Sequence, residues 1–500
     1  MLRARRLFVI SDLHLGGRPK SPTSLGFQIC NAYKDLTEFV EWVRLQPPDG
    51  SDRELVINGD MIDFLAEDDY EHGAVTSEWT RDDTTAVQKF DQVVRHTRGD
   101  SDYGFFDALA ALLRDGHRVT IILGNHDVEL SLPRVRARLE EILGDSGLLR
   151  LIYDGEAYTF GPVMIEHGNR YDAWNILNFD RLREERSVRS RRLPLDERAD
   201  RYFRPPAGTL LVTRFMNPLK QRYRFIDLLK PETGAVLPLL LTLEPSLDLG
   251  LRALLKAAPI IRGVARAHFD ADGGIRDPGE LGGAGTSGEM TLDDVLLEVL
   301  GTESHLFMSS DGTERAGELG SVGDLMKSIE RFAERLRALG SEISHLASIK
   351  LAPNDDVRRR RLRAALAATA ARDRSFDPTV EAKEYRDAAL MACRHGGFEV
   401  VVFGHTHLPK QIELVDDQGV RYGCYLNTGT WADVIRLDQL PQPVDEAFLT
   451  AVRENQLAEY TVRYLSYAEI EIQQGRVRQA TIRSFCGPQR PREPILSAAL

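Results

Sequence analysis

Five short apolar runs in this chain end on the same kinds of polar residue, and that repetition limits the folds open to it. Leu7–Ile10 runs into Ser11-Asp12-Leu13-His14, and Leu55–Ile57 leads through Asn58 into Gly59-Asp60-Met61-Ile62-Asp63. Val119–Leu123 meets Gly124-Asn125-His126-Asp127, Val163–Ile165 leads through Glu166 to His167-Gly168-Asn169, and Phe398–Phe403 meets Gly404-His405-Thr406-His407. Short Val- and Ile-rich runs stopped by turn residues read as buried strands. In an open α/β sheet the strand carboxyl ends gather along one edge, so side chains hundreds of residues apart can converge there. Amphipathic stretches around Leu36–Trp42 and Phe105–Leu113 supply helices between the strands.

Any one of these polar clusters is an ordinary turn or helix cap. All five together carry aspartates, histidines and asparagines, and no cysteine. A carboxylate can bridge two ions through its two oxygens, and imidazoles with carboxylates and an amide suit manganese, iron or zinc. Strand alternation is expected to turn Asp12 and His14 to one side. Gly59, Gly124, Gly168 and Gly404 are expected to let the backbone turn tightly beside the ions.

The chain of 500 residues is long enough for two or three compact units, and 42% hydrophobic with 28% charged residues is a globular balance. A formal charge of -12 argues against binding nucleic acid through bulk electrostatics. Cys30, Cys393, Cys424 and Cys486 lie far apart and suggest neither a zinc finger nor a disulfide scaffold. The basic start is followed by only four apolar residues, and no run approaches the roughly 20 needed to span a bilayer. A cytoplasmic protein is expected.

Residues 181–384 differ in character. From 181 to 230 there are 14 Lys/Arg against 6 Asp/Glu, beginning with a charged helical stretch. Leucine-rich segments at Val236–Leu243 and Leu249–Ile261 follow, then a Gly-rich loop at 270–289. Leu325, Ile329, Phe332, Leu336, Leu339, Ile343 and Leu346 form a helical seam. After Pro353 a further helix is expected, capped by Asn354 or Asp355. We expect a helical insertion packed on itself, dividing a core of residues 1–180 and 385–485, with 486–500 as a tail. The runs Tyr425–Leu426, Ala468–Ile472 and Ala480–Ile482, with Phe398–Phe403, are expected as an antiparallel addition to the sheet.

The ordered set D-x-H, G-D-x-x-D, G-N-H-D, H and G-H-x-H resembles the calcineurin-like metallophosphoesterases over residues 1–180 and 385–485. The resemblance implies an α/β/β/α two-sheet sandwich and a binuclear centre. Asp12, His14 and His407 would hold one divalent ion and Asn125, His167 and His405 the other, with Asp60 bridging; manganese is the first choice, iron or zinc the alternatives. It implies that a hydroxide shared by the ions attacks phosphorus, that His126 serves the leaving oxygen, and that Asp63 orients His126. Asp127 is expected behind the ligands. Arg170 and Asn427 are expected near the substrate.

The same resemblance leaves the substrate open among phosphoproteins, nucleotides, lipid-linked diphosphates and nucleic acids; a phosphorylated small molecule such as a nucleotide, or a lipid-linked diphosphate, is expected. A helical insertion entering after His167 resembles the cap of UDP-2,3-diacylglucosamine pyrophosphohydrolases, although this one is much longer. Its basic, partly apolar first third would also suit contact with an anionic inner membrane surface. Two alternatives to a small-molecule hydrolase are a nuclease-type phosphodiesterase and a scaffold that keeps the fold without catalysis; the complete ligand set and His126 oppose the latter.

Overall fold

The computed structural model describes residues 4–17, 28–67, 79–99, 101–144, 147–172 and 175–193, parts of 202–243, residues 348–349, 352–440 and 444–487. The segment Leu249–Ile261, the Gly-rich 270–289 stretch and the 325–346 seam lie outside them.

Strands β1 (Arg5–Ile10), β2 (Asp52–Asn58), β3 (Arg118–Ile122) and β4 (Leu149–Ile152) pair in parallel in that order. Their continuous apolar character follows from burial on both faces. Phe8, Ile10, Leu55, Ile57, Val119 and Ile121 pack against helices α1 (Tyr33–Arg44), α2 (Asp83–Arg98), α3 (Phe105–Arg114) and α4 (Pro133–Leu143). On α1 the buried residues Leu36, Phe39, Val40 and Val43 fall at helical spacing and make one stripe. Leu7, Val9, Val56, Ile122 and Ile152 face the other way, into the layer between the two sheets.

The second sheet orders β5 (Tyr158–Phe160), β6 (Val163–Ile165), β8 (Val400–Phe403), β10 (Arg421–Thr428) and β9 (Pro409–Val415). Val163, Ile165, Val400, Val402 and Leu426 meet the first sheet. Met164, Val401, Phe403 and Tyr425 pack with residues of helix α8 (Lys383–Gly396). The result is the expected α/β/β/α sandwich.

The expected antiparallel addition is correct for only part of the C-terminal region. β13 (Ser466–Gln473) pairs antiparallel to β1, and β14 (Arg476–Ser484) follows in a hairpin. β8 instead lies parallel to β6 and β10. It enters from α8, and such a helical crossover returns the chain in the same direction. β9 begins at Pro409 on the sheet edge, where a missing N–H costs no ladder bond.

The described part of the insertion begins within α5 (Phe179–Ser190), whose Asn178 side chain accepts from Arg181 N–H (3.0 Å). Helix α7 (Asp355–Arg372) starts where expected, with Asn354 as its cap, accepting from Val357 N–H at 2.9 Å. These segments do not pack on themselves alone. Short strand β7 (Leu229–Lys230) pairs with β11 (Val434–Arg436), which pairs with β12 (Thr461–Val462). Phe225, Leu229, Leu239 of helix α6 (Leu237–Leu243), Leu362 and Leu366 share one core with Ile435, Phe448 and Val452, the last two on helix α9 (Glu446–Glu454). An apolar seam thus joins insertion and core segments. Among the described residues no helix is long and apolar enough to cross a membrane.

Candidate metal centre

The five motifs meet because their strands point the same way. β1, β2 and β3 are parallel neighbours in one sheet, and β6 and β8 in the other. Backbone bonds then stitch the loops together. Asp12 N–H donates to Gly59 O (3.1 Å), His14 N–H to Asp60 O (2.9 Å), Phe64 N–H to His126 O (3.2 Å) and Gly404 N–H to His167 O (2.9 Å).

Asp12 and His14 share a side for a different reason from the one expected. β1 ends at Ile10, and both residues lie beyond it with φ of 53° and 45°. Asp60, His405 and His407 also occupy the left-handed region, at 50°, 66° and 63°. Such conformations in non-glycine residues are uncommon, cost of order 1 kcal/mol or more each, and gather at functional sites. The expectation for the glycines holds for two of the four. Gly59 and Gly168 have positive φ, but what Gly124 and Gly404 supply is space. A Cβ on Gly124 would sit 2.1 Å from Asp60 Oδ1, and one on Gly404 would sit 2.6 Å from Asp12 Oδ2.

Three groups of potential ligand atoms result, each within 4.8 Å: Asp12, His14 and His407; Asp60, His167 and His405; and His14, Asp60 and His126. His14 Nε2 faces His407 Nε2 at 3.0 Å, and His407 Nε2 lies 3.4 Å from Asp12 Oδ1. His167 Nε2 is 3.2 Å from both Asp60 Oδ2 and Asn125 Oδ1. Ligands held about 2.1 Å from one ion stand roughly 3.0–3.4 Å apart, so these spacings fit shared cations. The charges fit as well. Asp12, Asp60 and Asp63 are buried, and among the described residues their ion-pair partners are histidines, never Lys or Arg. Buried carboxylates need compensating charge, which a cation supplies.

Electrostatics separate the imidazoles. Burial, with the neighbouring His126 and His407, pushes His14 down to about 3, so its imidazole is neutral across the working pH range and its nitrogens are free to bind a cation. Burial alone would also lower His126, but the Asp63 and Asp60 carboxylates outweigh it and hold His126 up to about 9. Burial is likewise overcome at His167, which Asp60 lifts to about 10 in the metal-free protein. Asp63 Oδ1 lies 3.0 Å from His126 Nδ1, and despite burial the His126 charge pulls Asp63 down to about 2. Asp127 is buried behind the ligands and braces two loops, accepting from Met61 N–H (2.8 Å) and Gly124 N–H (2.6 Å).

Two expected substrate residues have other work. Arg170 donates to Gly155 O (2.7 Å) and pairs with Glu166 (3.4 Å). Asn427 is buried; its amide donates to Gly404 O (2.8 Å) and Thr406 Oγ1 (3.0 Å), while its oxygen accepts from Gly429 N–H (2.9 Å). It therefore braces the His405–His407 loop. Sequence reading missed Asp172, whose Oδ2 holds His405 Nε2 at 3.0 Å. It also missed Lys220, a buried lysine of the insertion paired with Asp227 (2.6 Å). The turn carrying Lys220 is docked on the core by Asn217, which donates to Leu65 O (2.7 Å), and its charge opposes protonation of His126. A solitary lysine in a basic segment carries no signal that would single it out.

Residues 5–225 match the family model of calcineurin-like phosphoesterases. Together with the clustered aspartates and histidines, this indicates a metal-dependent phosphoesterase that uses divalent ions. No curated protein matches the chain. His405 and His407 lie beyond the matched span, and it is the parallel pairing of β8 with β6 that brings them to the centre.

Proposed function

We propose that the chain hydrolyses a phosphate ester or phosphoanhydride with a pair of divalent cations, manganese first and iron or zinc as alternatives. Asp12, His14 and His407 hold one site, Asn125, His167 and His405 the other, and Asp60 serves both. The carrying observation is that Asp60 Oδ2 lies 3.2 Å from His167 Nε2 and 3.8 Å from His14 Nε2, one from each set. Such a cation pair supplies a hydroxide nucleophile near neutral pH and offsets charge developing on the phosphorus oxygens.

The chain's own residues supply the rest. His126, kept protonated by Asp63, is grouped with His14 and Asp60 and so borders the same space. From there it gives a proton to the departing oxygen. Asn427, Asp127 and Asp172 fix the loops and the His405 ring, which holds the ligands in place before substrate arrives.

A cavity of about 470 Å³ adjoins His405 and His407 and is lined also by Lys230, Arg374, Lys410 and Tyr385. Its size is that of a small-molecule site, and its three basic side chains outnumber the acidic Asp172 and Glu381, which favours an anionic substrate. This supports a nucleotide or a similar diphosphate-bearing molecule. The test is hydrolysis of 4-nitrophenyl phosphate and bis(4-nitrophenyl) phosphate with Mn²⁺, with EDTA, and with His126→Ala. Activity is expected to vanish with EDTA, and kcat to fall about 10²- to 10⁴-fold in His126→Ala. Metal-independent turnover, or turnover indifferent to His126, contradicts the proposal.

A further inference from the structure

The strands that carry the metal-centre loops enclose a second cavity, of about 270 Å³, near their amino ends. Alternation puts Arg5, Glu54, Arg118, Thr120 and Arg150 on the same strand faces as Leu7, Val56, Ile122 and Ile152, which fill the layer between the sheets. A layer that is apolar along most of its length therefore becomes charged here. Glu54 is fully engaged: Arg5 Nη1 (2.8 Å), Tyr158 OH (2.9 Å) and Thr120 Oγ1 (2.7 Å) all donate to its carboxylate.

The cations are less well served. Arg5 lies over the Phe160 ring at 3.8 Å, and its buried Nε has no hydrogen-bond partner. Among the described residues the guanidiniums of Arg118 and Arg150 make neither an ion pair nor a hydrogen bond; Arg150 only lies over the Tyr158 ring at 5.7 Å. Register brings these two together: Thr120 stands opposite Arg150 on β4, and Arg118 lies two residues before Thr120 on the same face of β3. Three guanidiniums thus surround one carboxylate that is already satisfied.

We propose that this cavity is a second, non-catalytic binding site for a compact oxyanion: phosphate, or the phosphate group of a small phosphorylated molecule. Guanidinium forks match the oxygens of such an anion, and among the described residues nothing occupies the donors of Arg118 and Arg150. The partly exposed Phe160 ring lines the same cavity and can border a small attached group. The volume is below that of typical drug-sized sites, which suits a compact ion better than a dinucleotide or an acyl chain. The site lies away from the metal ligands, so it stands or falls separately from the proposed hydrolysis.

The test follows the melting temperature of EDTA-treated full-length protein during titration with inorganic phosphate, phenyl phosphate, or sodium chloride at matched ionic strength. Wild type is expected to show a saturable rise with phosphate that chloride does not reproduce. In R118Q/R150Q the midpoint moves upward by about tenfold or more, as expected for lost charge-assisted bonds, while Mn²⁺-dependent hydrolysis is unchanged. Phenyl phosphate binding more tightly than phosphate, in a manner lost in the variant, identifies a small phosphorylated molecule as the ligand; equal midpoints identify the inorganic ion. An identical midpoint in wild type and variant, or a rise that never saturates, overturns the proposal. If the double variant does not fold, R150Q alone, altered at an exposed position, must move the midpoint in the same direction, and no movement overturns it.

Discussion

Asp127→Ala removes the group that ties the Asp60 loop to the Asn125 loop. Its two oxygens accept from Met61 N–H at 2.8 Å and Gly124 N–H at 2.6 Å, in a position closed to solvent. Alanine leaves two buried donors without partners, at about 1–3 kcal/mol each, so a loss of roughly 2–6 kcal/mol in stability is expected. Part of this is offset, because burial and the nearby Asp60 charge push the Asp127 carboxyl up to about 7, and its ionised form is itself costly. The expected net loss therefore lies in the lower half of that range at pH 8. Freed from this brace, Asp60 and Asn125 lose their fixed spacing, and metal affinity should fall about 10- to 100-fold. Calorimetric titration of Mn²⁺ into metal-free protein, paired with thermal unfolding, reads both effects. An unchanged Mn²⁺ midpoint in a destabilised variant would show that Asp127 supports the fold without positioning the ligands.

Three further outcomes follow from the geometry. Asp63→Asn removes the carboxylate that holds His126 up, so the alkaline limb of the kcat–pH profile should move to lower pH while kcat falls about 10- to 100-fold; an unmoved limb would separate Asp63 from His126. Gly404→Ala places a Cβ against Asp12 Oδ2 and Ser11 Oγ, each at 2.6 Å, and should weaken the Asp12–His14–His407 site selectively, seen as biphasic Mn²⁺ binding; wild-type binding would contradict this. Metal-free protein should lose stability as pH rises. His126 and His167 are raised from 6.5 to about 9 and about 10, so their contribution is complete below pH 6.5 and lost through 9–10. A melting temperature flat from pH 7 to 10 would contradict that sign.

The candidate ligands are legible as a group because each follows a strand buried on both faces, and such strands leave unbroken apolar runs with sharp ends. β9 was not legible. Lys410 and Gln411 interrupt its apolar pattern, although both are buried: Lys410 Nζ donates to Ser375 O and Asp377 O, and Gln411 Oε1 accepts from Ile482 N–H. The β7–β11–β12 sheet was equally hidden, since strands of two or three residues hold no period. The left-handed backbone at Asp12, Asp60 and His407 has no glycine to announce it. Asp172 sits in the motif stretch after His167, but its contact with His405 spans 233 residues and depends on the fold.

Metal stoichiometry tests the central claim most directly. Elemental analysis of protein reconstituted with Mn²⁺ and then desalted should give about two ions per chain in wild type and one or fewer in Asp60→Asn. One ion per chain in wild type, or two retained without the Asp60 carboxylate, would contradict a centre built around that shared side chain.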